Sequence, residues 1–505
     1  MHEDSRLEKR IRLDCLGRGP ELIGYMAMSI RLSPSLTRAI TFAAKNMEGP
    51  IGSGLKRIIW NVYTRKYHSV EESFTATATE WGKWNDDLKR ALFELKASTL
   101  ETTEEGRERS LNKAMDTVLM GTKKSMEEFA SSLSTPTTVL FALGILLPMI
   151  LGAMLPMISL GGLDLSYQTA SSGTTSRGGI HPVLVVLMMD VVFPAAALVY
   201  ALNILSEKPG PTKTINFKAP RSGSKGVVPL AVLGTILGIL GILNLDTFGS
   251  YLIVWSVALP VSSHLVSTTH RRRRESTRIK MLEKELPDAL FHLGTGISEG
   301  KPIEEALMDT SSSMRDTEIA ELLRRVHYRT MVFGLTLERA LFGEKGILLD
   351  VPSTTLQATM RSLVEIASKD SVKAGQMIVK TAEHLRDLQR LEEETRRKLR
   401  TSTESVKMTA LFFAPIVMGV TFALYVLLTN TFGMIGSSGD MMAPHFFFIV
   451  LGIYLSLMIA VSMYFVTAIE KGNDEVERNH SVGIGLIVGI GVFTVSSIIG
   501  QIAVV

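Results

Sequence analysis

The chain alternates between polar stretches with helical periodicity and long apolar runs. From residue 1 to about 135, apolar residues recur at three- and four-residue spacing, with helical patches at Pro20–Met28, Leu36–Ala44, Leu55–Tyr63 and Asp86–Ala97. Such stripes predict amphipathic helices that bury one face in a bundle core. The first apolar run, Thr137–Ile158, is interrupted by Pro148 and Pro156, yet is long enough to cross the roughly 30 Å of a bilayer's hydrocarbon. Further runs follow at Pro182–Asn203, Val227–Leu245 and Ser250–Ser267. A second polar stretch reaches Val406, and Met408–Leu428, Phe446–Val466 and Val482–Ala503 complete the pattern. The expected architecture is all-α, with about seven transmembrane helices and two homologous cytoplasmic helical-bundle domains. Residues 1–135 and 270–406 form the two soluble domains, 136–269 four spans with a basic connector at 206–225, and 407–505 three spans.

Within the second polar stretch, Glu283–Leu307 reads EKELPDALFHLGTGISEGKPIEEAL. Leu286, Leu290, Leu293 and Ile297 share a helical face, Gly300 breaks the helix and Pro302 opens another, where a missing amide costs little. Leu16–Ile40, LGRGPELIGYMAMSIRLSPSLTRAI, carries the same pattern 267 residues earlier, pairing Pro20 with Pro287, Ile30 with Ile297 and Ala39 with Ala306. The same separation links Pro148 with Pro415 and Gly152 with Gly419, although the match is weak between 75 and 125. Two proline pairs and a glycine pair at one offset read as a duplicated unit. Four spans lie between the copies, and an even number makes the duplication parallel. Inverted repeats, common in secondary transporters, need an odd number.

Charge then orients the spans. Lys208, Lys213, Lys218, Arg221 and Lys225 crowd the connector, and Arg271, Arg272, Arg273 and Arg274 follow the fourth run. Basic loops stay in the cytoplasm, whereas loops 159–179, 246–249 and 430–445 hold only Arg177. Both soluble domains are thereby expected in the cytoplasm and the C-terminus outside. Net charge over 505 residues is only +4, so no global field points to nucleic acid. Cys15 is the single cysteine, which excludes an intramolecular disulfide.

Candidate chemistry is sparse. No phosphate-cradling glycine loop, HExxH, CxxC or calcium-loop pattern occurs, so no catalytic residue, cofactor or metal ligand is indicated. Asp190 and His264 lie within expected spans. An intramembrane carboxylate is costly and could receive a cationic group such as a client's amino terminus. A hydrogen bond to a neighbouring helix or to His264 is the plainer reading. Arg324, Arg325 and Arg329 offer a basic patch to an acidic partner, or else a solvated face. Trp81 and Trp84 offer a surface contact, or else partial burial. From Gln376 to Ser405 an apolar seam gives way to charge on every side. Glu392–Arg396, Glu393–Arg397 and Glu394–Lys398 are i,i+4 pairs, each worth roughly 0.3–0.5 kcal/mol. That pattern predicts a solvated stalk leading into the fifth span.

These residues resemble the type II secretion F-domain family, the platform proteins of type IV pilus, type II secretion, Tad and archaellum machines, and within it the archaeal or Tad-type branch. The resemblance rests on Leu286-Pro287-Asp288-Ala289-Leu290, Gly300-Lys301-Pro302-Ile303 and Ala306-Leu307, matched by Pro20, Pro34-Ser35-Leu36 and Ala39-Ile40. It implies a non-enzymatic protein of the cytoplasmic membrane. Such a platform couples a hexameric secretion ATPase to the assembly of pilin or archaellin subunits, and a homodimer is compatible with it. Related archaeal members often carry more chain before the first soluble domain, whereas Met1 here opens almost on it; an internal start or a shorter subfamily fits that departure. A transporter or channel and a membrane-anchored signalling scaffold remain as alternatives.

Overall fold

A computed structural model describes residues 11–47, 49–148, 150, 186–208, 227–244, 247–349, 351–367, 371–434, 443–472 and 474–504. All regular structure among them is helical. The loop with Arg177 and the connector residues Lys213, Lys218, Arg221 and Lys225 lie outside the described residues, as do residues 151–158 of the first apolar run. The chain divides into two compact units. The first takes in the described residues of Met1–Phe129 and Arg274–Lys398, with Lys208; the second takes in those of Ala130–Glu207, Ala219–Arg273 and Leu399–Val505.

In the first unit, the early chain forms α1 (Gly19–Leu32), α2 (Leu36–Asn46), α3 (Gly49–Tyr63), α4 (Val70–Gly82), α5 (Asp86–Ser98) and α6 (Glu104–Ser132). The short α7 (Ser134–Phe141), α8 (Phe193–Leu205) and α9 (Val227–Leu243) belong to the second unit, and α10 (Thr247–Ser298) carries the chain back. The later helices are α11 (Ile303–Ser313), α12 (Glu318–Phe333), α13 (Leu337–Phe342), α14 (Thr354–Ala367) and α15 (Ser371–Met408). Side-chain caps start many of them: Ser35 accepts from the Arg38 amide, Ser69 from Glu72, Asn85 from Leu88, Thr317 from Ala320 and Thr336 from Arg339. Each cap satisfies an amide that has no partner within its helix.

The 267-residue separation recurs in these boundaries. It relates the starts of α2 and α11, Leu36 and Ile303, and their ends, Asn46 and Ser313. It also relates the starts of α4 and α13 and those of α6 and α15. Between α5 and α14 the starts, Asp86 and Thr354, slip by one residue.

The two polar stretches do not make two separate bundles. Leu22, Ile30, Phe74, Trp81 and Leu88 from the first share one hydrophobic core with Leu286, Leu293, Leu341, Leu363 and Ile378 from the second. The reason lies in α1, whose sequence GPELIGYMAMSIRL leaves only Glu21 outside the buried set. A helix apolar all round needs cover on all sides, and the second stretch supplies what the first lacks.

At that junction Gly24 of α1 faces His384 of α15. A Cβ on Gly24 would stand 2.1 Å from His384 Nε2. The imidazole is buried, and neither ring nitrogen has a hydrogen-bond partner. Burial, aided by the charge of Arg31, pushes its pKa down to about 3. Arg31 itself is held by Glu108 at 3.0 Å and Asn112 at 3.3 Å.

Helices α6 and α15 run in the same direction, joined by Glu104–Lys373 at 3.8 Å, Lys123–Glu394 at 2.6 Å and Glu127–Lys398. The charged segment stays exposed, as expected of a solvated stalk, but α6 runs beside it. Glu392–Arg396 forms within the helix at 2.7 Å, but Glu394 and Lys398 each ion-pair with α6. Exposed pairs add little stability, yet oppositely charged ladders fix register.

The second unit contains the apolar helices. Among the described residues five are long and apolar enough to cross a membrane: Met188–Leu205, Phe248–Thr269, the apolar part of Val372–Thr431, Pro444–Lys471 and Glu475–Ala503. These make the chain a multi-pass membrane protein. Val232–Leu243 is apolar but shorter, so the described residues do not reach the expected seven spans. The final spans are α16 (Ala414–Met434), α17 (Pro444–Lys471) and α18 (Glu475–Val504). Phe448 is ringed by Phe493, Phe422 and Tyr251 at 4.7, 4.9 and 4.5 Å between centroids. Gly485 and Gly489 let α18 approach Met463 and Ile459 of α17 closely, the close packing that small residues permit.

Among the described residues three π-helical segments, Ala142–Leu146, Met188–Val192 and Thr409–Phe413, interrupt the apolar helices. Each ends two residues before a proline: Pro148, Pro194 or Pro415. Proline lacks an amide and its ring clashes with the carbonyl four residues back, and a widened turn relieves both. The first and third segments are again 267 residues apart at both ends.

Because His384 binds no proton in the fold below its ordinary 6.5 until about 3, the unfolded chain holds more protons in that window. Stability is therefore full above pH 6.5 and falls as the pH drops towards 3, by about 2 kcal/mol at pH 5. Thermal melts of the detergent-solubilised chain are expected to show this acid slope, and His384→Leu to flatten it. Gly24→Ala is expected to cost at least the roughly 1–3 kcal/mol of an overpacked core; an unchanged melting temperature would contradict the close contact.

Candidate interaction surface

The residues singled out as a structural motif are placed in three settings. Pro20, Ala39, Leu286, Pro287, Leu290, Ala306 and Leu307 are buried. Gly300 ends the hairpin's first helix with φ +93°, a conformation that favours glycine. Pro34 and Pro302 are exposed, and Pro302 stands just ahead of α11 at its N-cap. None forms a reactive cluster, so these residues shape the hairpins.

Helix α12 holds the expected basic patch. Ile319, Leu322, Leu323 and Val326 bury one face, which leaves Arg324, Arg325 and Tyr328 exposed. Glu321 engages both Arg324 and Arg325, the latter at 2.9 Å. Arg329 donates to the Lys345 carbonyl. His327 bonds the Glu304 carbonyl at 3.0 Å, tying α12 to α11.

Sequence reasoning missed what lies beside these arginines. Tyr328, Met331, Val332 and Phe333 are each more than half exposed, Phe333 at 65%. Tyr328 meets Phe333 edge to face at 5.9 Å. The helix then stops at Gly334 with φ +58°. The available signal was three consecutive apolar residues, Met331-Val332-Phe333, which no single helical face can bury.

The first polar stretch carries a similar tip. Helix α3 buries Ile51, Leu55 and Ile58 and ends with Trp60 at 65% and Tyr63 at 81% exposure. Exposed Lys56, Arg57, Arg65 and Lys66 surround them in sequence, with Arg57 3.6 Å from Glu80. Trp81 is instead 2% exposed, and Trp84 packs partly buried against the core, so of the two readings given for this pair burial is the one that fits. Aromatic and arginine side chains together form the composition that concentrates binding energy at protein interfaces.

The other candidates lie apart from these tips. Arg273 reaches His480 Nε2 at 2.7 Å and Glu477 at 3.5 Å, and Lys471 joins Glu477 at 2.7 Å. Arg274 is exposed, Arg272 half-buried, and the Arg271 side chain lies outside the described set. Asp190 is half-buried within its π-helical segment, with Oδ1 lacking a hydrogen-bond partner. His264 is exposed. Lys208, in the expected basic connector, is desolvated near Arg396, and its pKa falls to about 8. Desolvation also pushes the Cys15 thiol up to about 12, with Asp14 adding to the effect, so that thiol is inert at neutral pH. No group of three or more metal-ligating side chains occurs among the described residues.

No family model, curated protein or solved structure matches the chain.

Because the tips are exposed, Trp60→Ala and Phe333→Ala are expected to leave the melting temperature nearly unchanged, within about 0.5 kcal/mol. A large drop in either would mean that the ring supports the fold instead of serving a partner.

Proposed function

We propose that this chain is a membrane platform that takes up motion from a cytoplasmic ATPase and passes it to filament or pseudopilus subunits. The carrying observation is the doubled surface in the helical unit: two helix tips, Trp60–Tyr63 and Tyr328–Phe333, each pairing exposed aromatic rings with basic residues. Helices α6 and α15 support the mechanical part. Both leave this unit in register and lead towards π-helical segments at matching positions. The chemistry is divided between proteins: the partner hydrolyses ATP and this chain supplies docking surface and helices.

The test is co-purification of the full chain with the secretion ATPase of its own cell. Arg324→Glu, Arg325→Glu and Arg329→Glu together are expected to lose that partner, and Phe333→Ala to weaken binding tenfold or more, as interface anchors do at about 2 kcal/mol. Undiminished binding in both variants would overturn the assignment of this surface.

A transporter or channel is the second reading, favoured by the unbonded Oδ1 of Asp190. It predicts that cysteines introduced along Met188–Leu205 react with a water-soluble thiol reagent on Asp190's face. Protection along the whole helix would remove this reading.

A further inference from the structure

The second unit encloses a cavity of about 270 Å³ between α7, the α15–α16 junction and α17. Its floor is apolar and buried, formed by Ala410, Ala414, Leu455 and Ile459. Its rim carries the hydroxyls of Thr138 and Ser405, both exposed, and Thr137, Thr409 and Ser462 complete the polar part of the lining. The space follows from the backbone: Ala410 belongs to the widened segment Thr409–Phe413, and small side chains face the gap that this turn opens. No charged side chain lines the cavity among the described residues.

We propose that this cavity binds one hydrocarbon chain of a membrane lipid, with the lipid's head group left at the Thr138–Ser405 rim. Three observations select that occupant. First, the cavity lies among apolar helices long enough to cross a membrane, so hydrocarbon is the medium at its mouth. Second, an apolar cavity excludes water, and this one has nearly twice the roughly 150 Å³ that admits a benzene ring. Third, the polarity runs one way. Thr138 stands at the start of the first apolar run and Ser405 just ahead of the fifth, the depth at which a lipid passes from head group to chain. The bound chain lies between two helices whose π-helical segments are 267 residues apart, and fills a gap that protein side chains leave open. The inference rests on the membrane-spanning helices and not on the platform reading.

The experiment places the full chain in phosphatidylcholine nanodiscs doped with phosphatidylcholine bearing a diazirine on its acyl chain. After irradiation, labelled peptides are mapped by mass spectrometry. Leu455, Met458 and Ile459 are all at most 5% exposed, so bulk lipid does not reach them; they are nevertheless expected to label as strongly as exposed Leu424 and Ile498. Ala414→Phe and, separately, the smaller change Ala410→Val are expected to lower floor labelling several-fold and leave Leu424 unchanged. An unlabelled floor in the unsubstituted chain, with Leu424 and Ile498 labelled, would overturn the proposal without any variant needing to fold. Floor labelling indifferent to both substitutions would overturn it too. So would a floor shielded from lipid but crosslinked by a hydrophobic helical peptide, which would assign the cavity to polypeptide.

Discussion

The helical unit depends on enclosing α1. Its apolar residues point in every direction, and a single layer of amphipathic helices covers only part of such a cylinder. Closing the remainder recruits helices far along the sequence, so residues near position 25 pack against residues near 290 and 380. That requirement explains Gly24. A side chain there would occupy the space that His384 fills, and the ring is the cover that α1 receives on that side. It also brings α6 and α15 together, because each closes one of the two stretches that share the core. Their charges then decide register: Lys123 meets Glu394, and Glu127 meets Lys398, so a shift by one helical turn would oppose like charges.

Prolines make the corresponding decision in the apolar helices. Pro148, Pro194 and Pro415 could each have kinked or broken a helix; instead each is preceded by a π-helical segment ending two residues before it. In hydrocarbon, a carbonyl deprived of its amide has no water to turn to, so shifting the bonding pattern by one residue costs less than leaving the group unpaired. Where neighbouring side chains are small, as at Ala410 and Ala414, the widened turn leaves space beside it. The same proline therefore accounts for the backbone irregularity and for the cavity next to it.

Much of this was written locally and could be read from sequence. The break at Gly300 follows from a residue that tolerates positive φ, and the caps at Ser69, Asn85 and Thr317 from side chains that accept from nearby amides. The offset of 267 residues survives because it rests on prolines, glycines and phase. Long-range consequences were harder. Whether α1 belongs to one bundle or to a shared core depends on partners hundreds of residues away, and periodicity within a window cannot name them. The same limit left the tryptophans open: Trp81 is covered by the bundle whereas Trp60 ends a helix after its buried face has stopped. Neither did local reading foresee that the fourth apolar run, the arginines and the first hairpin helix form one helix of 52 residues.

The tips also show how charge and apolar surface divide the work of recognition. Arg324 and Arg325 already share the carboxylate of Glu321, and Arg329 is held by a carbonyl. An acidic partner would exchange these contacts for its own, so the net electrostatic gain is the difference between two similar arrangements. Charge of this kind steers encounter and orientation more than it adds affinity. The rings have no such competition. Phe333, Met331 and Val332 stand in solvent in the free chain, and covering them removes apolar area from water at about 25 cal/mol per Å². If the tips dock as proposed, the aromatic residues should therefore set how long a partner stays, while the arginines set how fast and in which orientation it arrives.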